Sequence, residues 1–128
     1  MGLAPSTESP LPELRSFSDQ RHSLGYINEK LVEVRLLKKG FVILCRRTKI
    51  RGVEIDLLVY NPRRHNYTVI EVKSVIRSHW ERSYLSESQK KRLQRACRHL
   101  LLLGVQPLSF AIALVDEDKN ITFVTLEY

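Results

Sequence analysis

Cysteine is scarce in this chain: two in 128 residues, Cys45 and Cys97, each set within an apolar run. Isolated thiols supply no disulfide framework, so burial must hold the fold, and the expected location is the reducing cytoplasm. Long hydrophobic runs are missing as well. No stretch approaches the roughly 20 apolar residues that span a bilayer, so no membrane partner is expected. The opening Met1-Gly2-Leu3-Ala4-Pro5-Ser6 has neither a basic segment nor a long apolar one, and no secretory signal is read there. Gly2 with Ser6 fits the loose myristoylation pattern, but so short a pattern matches easily by chance, and here it contains Pro5. The length suits one domain with one core.

What the chain has in excess is positive charge: 21 Lys and Arg against 14 Asp and Glu, a net charge of +7 and a pI near 9.7. A basic excess points to a polyanionic partner, nucleic acid first, although a merely soluble basic protein has the same composition. The distribution is more telling. Basic residues cluster at Arg46-Arg47-Lys49-Arg51, at Arg63-Arg64-His65 and from Arg77 to Arg98, on either side of an acidic centre. An acidic centre in a basic surround suits a metal-dependent enzyme acting on a polyanion, since a cation offsets the carboxylates and the rim attracts phosphates.

That centre lies between Gly52 and Lys73. Two apolar runs, Gly52 to Tyr60 and Tyr67 to Lys73, flank the polar connection Asn61-Pro62-Arg63-Arg64-His65-Asn66 and read as a β-hairpin. Side chains two apart on a strand point the same way, so Glu54 and Asp56 share a face, as do Glu71 and Lys73. If the strands pair, three carboxylates and an ammonium gather on one patch of sheet, and unpaired charge there is unfavourable unless a metal or the lysine relieves it. A surface salt-bridge cluster is the plainer reading of the same residues.

Taken in order, residues 1–17 are proline- and serine-bearing with no periodicity and are expected to form a flexible tail; the domain is 18–128. A helix is expected from Ser18 to Lys39, capped by Ser18 or Asp19 and stopped at Gly40. Leu24, Ile27, Leu31, Val34 and Leu37 form an apolar stripe on it, and Gly25, Glu29, Val32 and Leu36 a second line with one charge. Phe41 to Cys45 reads as a strand, Arg46 to Arg51 as a basic connection, and Ser74 to Tyr84 as a loop in which Arg77, His79, Arg82 and Tyr84 are candidate contacts for phosphate or base and Trp80 either a stacking platform or a core plug. Ser86-Glu87-Ser88-Gln89 has the capping-box form and opens a second helix whose inner face is Gln89, Leu93, Ala96, Leu100 and Leu103, ended by Gly104 and Pro107. Lys90, Lys91, Arg92, Arg95 and Arg98 lie on its other faces. Leu108 to Val115 and Ile121 to Leu126 are the last strands. Asp116-Glu117-Asp118-Lys119-Asn120 between them lacks the glycine and distant glutamate of a calcium loop and reads as a hairpin turn. The order α-β-β-β-α-β-β defines an α/β fold, a mixed β-sheet flanked by helices.

Hard oxygen ligands, Asp56, Glu71 and the backbone carbonyl of Val72, suit Mg²⁺ or Mn²⁺. Lys73 is placed to orient or deprotonate a water or to hold a phosphate. Glu54 either joins the carboxylates or pairs with an arginine at the hairpin rim.

Asp56 followed by Glu71-Val72-Lys73 resembles the signature of PD-(D/E)xK nucleases, without its proline. The larger pattern, Gly25 and Glu29 on a helix, Gly40-Phe41, Glu54-Ile55-Asp56, Glu71-Val72-Lys73 and Lys90 on a second helix, is similar to the small YraN-like family UPF0102, close in fold to archaeal Holliday-junction resolvases. The resemblance spans roughly Ser23 to Val115. It implies a restriction-endonuclease-like core, Glu29 as a further metal and catalytic residue beside Asp56, Glu71 and Lys73, and DNA as substrate, branched or damaged DNA included. The site for nucleic acid then falls on Arg46, Arg47, Arg51, Arg77, Arg82, Gln89, Lys90 and Lys91. One departure is Ser109-Phe110-Ala111, where the family usually carries an Arg-Phe-Asp-like segment. Two functions follow as expectations: a metal-dependent endonuclease, or a nucleic-acid-binding module that keeps the fold without cutting. A homodimer is the open question of assembly.

Overall fold

The computed structural model describes residues 24–79 and 85–126. The expected helix start at Ser18 or Asp19, the contacts at Trp80, Arg82 and Tyr84, and the side chain of His79 lie outside the described residues. Helix α1 covers Leu24–Lys38, followed by strands β1 (Val42–Ile50), β2 (Val53–Asn61) and β3 (Asn66–Ser74), a short 3₁₀ turn at Arg77–His79, helix α2 (Glu87–Leu102), and strands β4 (Leu108–Val115) and β5 (Ile121–Leu126). This is the α-β-β-β-α-β-β order read from the sequence.

The strands form one sheet in the order β1-β2-β3-β4-β5. All neighbours are antiparallel except β3 and β4, which are parallel because α2 carries the chain across between them. The sheet has a core on each face. On one side Leu93, Ala96, Cys97 and Leu100 of α2 cover Val53, Ile55, Leu58, Val69, Phe110, Ile112 and Leu114. On the other, Val32 and Leu36 of α1 cover Leu57, Val59, Ile70, Ala111, Ala113 and Val115. A sheet covered on both faces explains why β2 and β4 read as near-continuous apolar runs rather than alternating ones. Both cysteines are free. Cys97 is in the α2-side core and Cys45 packs against it, and burial pushes the Cys97 thiol up to about 11.

Three expectations are corrected. First, the stripe Leu24, Ile27, Val34 and Leu37 faces outward, with each residue between 43% and 53% exposed. The inward face is Asn28, Val32, Glu33 and Leu36. Because apolar and polar residues are spread all round α1, periodicity admits either face, and the face chosen is the one whose polar members find partners. Asn28 Nδ2 donates to Ser74 Oγ at 2.6 Å, its Oδ1 accepts from Lys119 Nζ at 3.0 Å, and Glu33 Oε2 accepts from Arg46 Nε at 2.6 Å. Second, β1 runs on through Arg46 to Ile50 and so absorbs the expected basic connection. As an edge strand it tolerates charge, and a register shift between Ile43 and Cys45 lets it change its facing side. Third, Leu103 is 65% exposed and caps the C-terminus of α2 instead of lining its inner face. The start of α2 matches its sequence signal: the Ser86 side chain accepts from the Gln89 N–H, and the Gln89 side chain accepts from the Ser86 N–H.

Candidate functional site

The hairpin ladder between β2 and β3 runs from Asn61↔Asn66 to Leu57↔Ile70 and stops there. Ile55 faces the α2 core and Leu57, two residues on, faces the α1 core, so β2 turns over at Asp56. Simple alternation, which placed every charge on one patch of one face, fails at that residue. Asp56 instead reaches across the opened ladder, and its Oδ2 accepts from the Val72 N–H at 2.8 Å. A residue's N–H and C=O share one edge of a strand, so the Val72 carbonyl opens onto the same gap. Glu71 follows Val69 in alternation, toward α2.

Charge concentrates here. Burial raises the Asp56 carboxyl above its ordinary value, while the Val72 N–H and the nearby Arg47 and Lys73 act to lower it. Burial also raises Glu71, to about 8; the neighbouring Asp56 charge adds to the rise and Lys73 opposes it. Glu71 Oε1 is buried without a hydrogen-bond partner, a state that a native fold seldom leaves unexplained. A pocket of about 210 Å³ opens beside it, lined by Glu54, Glu71, Gln89 and Arg92 together with Val53 and Leu93. The structure thus brings Asp56, Glu71, Lys73 and Gln89 to one end of the sheet. Glu54, ambiguous in the sequence, lines the same pocket, and among the described residues it makes no ion pair.

Glu29 comes from α1, in electrostatic reach of Asp56 and Glu71. Its Oε1 accepts from Arg47 Nε at 2.8 Å, and burial raises its carboxyl more than that bond lowers it. Arg47 lies between Arg46 and Thr48, which pair with Leu57 and Ile55, so it stands across from Asp56; its φ of 45° is unusual for a residue with a side chain. Among the described residues, no three His, Cys, Asp or Glu side chains close on one point.

The basic residues assigned to nucleic acid divide into two sets. Arg46, Arg47 and Arg77 are held by carboxylates: Glu33 at 2.6 Å, Glu29 at 2.8 Å and Asp116 at 2.8 Å. Arg77 also donates its backbone N–H to Glu117, which makes the acidic turn an anchor for this segment. Lys90 sits 3.5 Å from Glu87. Arg51, in a positive-φ turn, and Lys91 are exposed. Arg92, expected with the other cations on the outer faces of α2, lines the pocket beside Gln89 instead: it stands one turn past Gln89, and i,i+3 neighbours share a helix face.

A mixed α/β sheet with two flanking helices and a half-buried carboxylate pair at one end defines the class of protein. The chain belongs to the uncharacterised protein family UPF0102, whose family model matches residues 28–117, a span that holds Glu29, Asp56, Glu71 and Lys73. It is 36% identical over 80 residues to a UPF0102 protein of Parvibaculum lavamentivorans, covering 62% of this chain and 59% of that one. It is 29% identical over 104 residues to a UPF0102 protein of Carboxydothermus hydrogenoformans, covering 78% and 88% respectively. The match thus spans less than two thirds of the Parvibaculum relative. No helix among the described residues is long and apolar enough to cross a membrane.

Proposed function

We propose that this chain is a metal-dependent phosphodiesterase that cuts DNA. The observation that carries the reading is the pair Asp56 and Glu71 at the open end of the β2–β3 ladder, with Lys73 in electrostatic reach and one Glu71 oxygen buried without a partner. The donor set fits a small hard cation. Mg²⁺ keeps several waters and takes one or two carboxylates, so Asp56, Glu71 and the Val72 carbonyl suffice without a third acidic side chain. Such an ion would activate water and offset charge on a phosphate. Asp56, fixed by the Val72 N–H, holds its carboxylate in place; Lys73 holds a proton or a phosphate oxygen beside it; Gln89 and Arg92 present donors from α2. The resemblance of these residues to the PD-(D/E)xK signature supports the same reading.

The test is incubation of labelled nicked, branched and single-stranded DNA, and of RNA, with Mg²⁺ or Mn²⁺ against EDTA, with Asp56→Asn alongside. Cleavage that needs metal and Asp56 is the expected result. Binding without cleavage under every condition would favour the non-catalytic module instead, a reading to which Ser109-Phe110-Ala111 on β4 lends weight.

A further inference from the structure

Helix α1 ends at Lys38, and Gly40, at φ +92°, turns the chain away, so the sheet face beyond Leu36 loses its cover. Two adjoining hollows lie there. One, of about 250 Å³, has an apolar floor that includes Leu36, Phe41 and Phe123. The other, of about 530 Å³, is polar and lined by Lys39, Arg63 and Arg64. They share Lys39, Phe41, Thr68 and Thr125, and so form one groove with an apolar depth and a cationic mouth. Lys39 Nζ already sits 5.5 Å above the Phe123 ring.

Among the described residues nothing neutralises the charge of this groove: none of its lining residues is a carboxylate, and Lys39, Arg63 and Arg64 form no ion pair, whereas Arg46, Arg47 and Arg77 each do. Its place is also distinct. Thr68 and Ile70 face α1 whereas Glu71 faces α2, and Asn66 at the groove lies five residues from Glu71 along β3, about 17 Å at strand rise.

We propose that this groove is a second nucleic-acid contact, which takes one unpaired nucleotide. Arg63, Arg64 and Lys39 hold its phosphate, and its base lies against Phe41 and Phe123. Arginine forks suit phosphate oxygens, and every base has a π-face that stacks on an aromatic ring whatever its sequence. A duplex keeps its bases stacked inside and offers this groove phosphates alone. The inference rests on the nucleic-acid reading above, extends it to a strand reaching past the carboxylates, and makes single-stranded segments the preferred ligand.

The experiment is fluorescence anisotropy with a 12-nucleotide oligo-dT and a 12-base-pair duplex, over a salt series, on the full chain without added metal. Arg63→Gln/Arg64→Gln lies in an exposed turn and should not disturb folding. It is expected to weaken oligo-dT binding about tenfold at low salt and to flatten the log–log salt slope by roughly 0.7, the share of one phosphate on a single strand. Phe123→Leu keeps the packing and removes the π-face; it should weaken oligo-dT binding at least fivefold, with its salt slope and its duplex affinity unchanged. Oligo-dT affinity unchanged in both variants overturns the proposal, while Asp56-dependent cleavage would leave the main reading standing. Equal losses on oligo-dT and duplex overturn the base seat and leave a plain anionic contact. A wild-type chain that binds neither probe overturns this proposal and the nucleic-acid reading together.

Discussion

The carboxylate of Asp56 accepts a 2.8 Å hydrogen bond from the backbone N–H of Val72, the residue between Glu71 and Lys73. The bond stands where the β2–β3 ladder has stopped, one step beyond Leu57↔Ile70. A side chain thus replaces the backbone acceptor that a continued hairpin would have supplied, and the cluster is built from the loss of pairing. Asp56→Ala would leave a half-buried N–H without a partner, at about 1–3 kcal/mol. Asp56→Asn can still accept that bond through its amide oxygen, which makes it the sounder probe of charge.

Mn²⁺ should therefore stabilise the wild-type protein. A ligand that binds the folded state alone raises stability as RT ln(1 + [L]/Kd), about 2.7 kcal/mol at a hundred times Kd. A thermal melt with millimolar Mn²⁺ should shift upward by several degrees, and Asp56→Asn should lose the shift. A wild-type protein indifferent to millimolar Mn²⁺ would remove the metal site from consideration.

The pH dependence has a definite sign. Burial raises the Glu71 carboxyl from 4.5 to about 8 in the folded chain. Between those values the folded state binds a proton that the unfolded state has released, so this group's contribution is present below about 4.5 and is lost as pH rises through about 8. Urea titrations without metal should show stability falling across that window, with Glu71→Gln flattening the fall. Mn²⁺ affinity should move oppositely and rise with pH, because a ligating carboxylate must give up its proton. A metal-free wild type whose stability is level across the window would mean that Glu71 is ionised throughout.

How much of this was legible in the sequence depends on what each residue answers to. Ser86 and Gln89 carry their whole signal locally, and the cap is formed as read. Asp56, Glu71 and Lys73 stood out because charge interrupts apolar runs, and the structure gathers them. The outward stripe of α1 could not be read, because its direction depends on Ser74, Lys119 and Arg46, which lie far off in the chain. Nor could the turnover of β2 at Asp56, where two cores compete for successive residues. Arginines read as free for phosphate proved to be paired for the same reason: Glu29 and Glu33 come from α1, thirteen to eighteen residues before their partners.

Asn28, only 1% exposed, ties α1 to the ends of β3 and to the β4–β5 turn through Ser74 and Lys119. Asn28→Ala removes both bonds, and the exposed Ser74 and Lys119 are left to water. The expected loss is about 1–3 kcal/mol in urea unfolding, the net worth of two hydrogen bonds. Asn28→Asp keeps an acceptor for Lys119 and for the Ser74 hydroxyl, and should lose less. Equal losses in the two variants would show that packing volume, and not this network, positions α1.

Duplex affinity should fall steeply with salt through counterion release. Arg46, Arg47 and Arg77 already neutralise carboxylates, so the exposed cations of α2, where Lys90 has only a long 3.5 Å contact with the exposed Glu87, should carry more of the slope. Replacing Lys90, Lys91 and Arg95 together with alanine should weaken binding to all sequences alike and reduce the slope by roughly one per lost contact. An unchanged slope would move the phosphate contacts to β1 or to the Arg77 segment.

Lys73→Met separates binding from chemistry at one position. Lys73 is half-buried, and its charge opposes the raised values of both Asp56 and Glu71. Methionine keeps much of the apolar stem and removes the charge. The two carboxylates remain, so Mn²⁺ binding should persist and tighten as a competing cation is lost. Removal of that cation should also raise both carboxyls further in the metal-free protein, making the affinity gain largest at high pH, where they are ionised. DNA binding should fall little, with one charge removed from 21 Lys and Arg. Cleavage should drop by about a hundredfold, the scale of a lost proton donor or electrostatic group. Cleavage at the wild-type rate, with metal affinity raised as described, would leave Lys73 a charge balancer for the carboxylates and would place the proton transfer elsewhere, first of all on Glu54, the other carboxylate that lines the pocket.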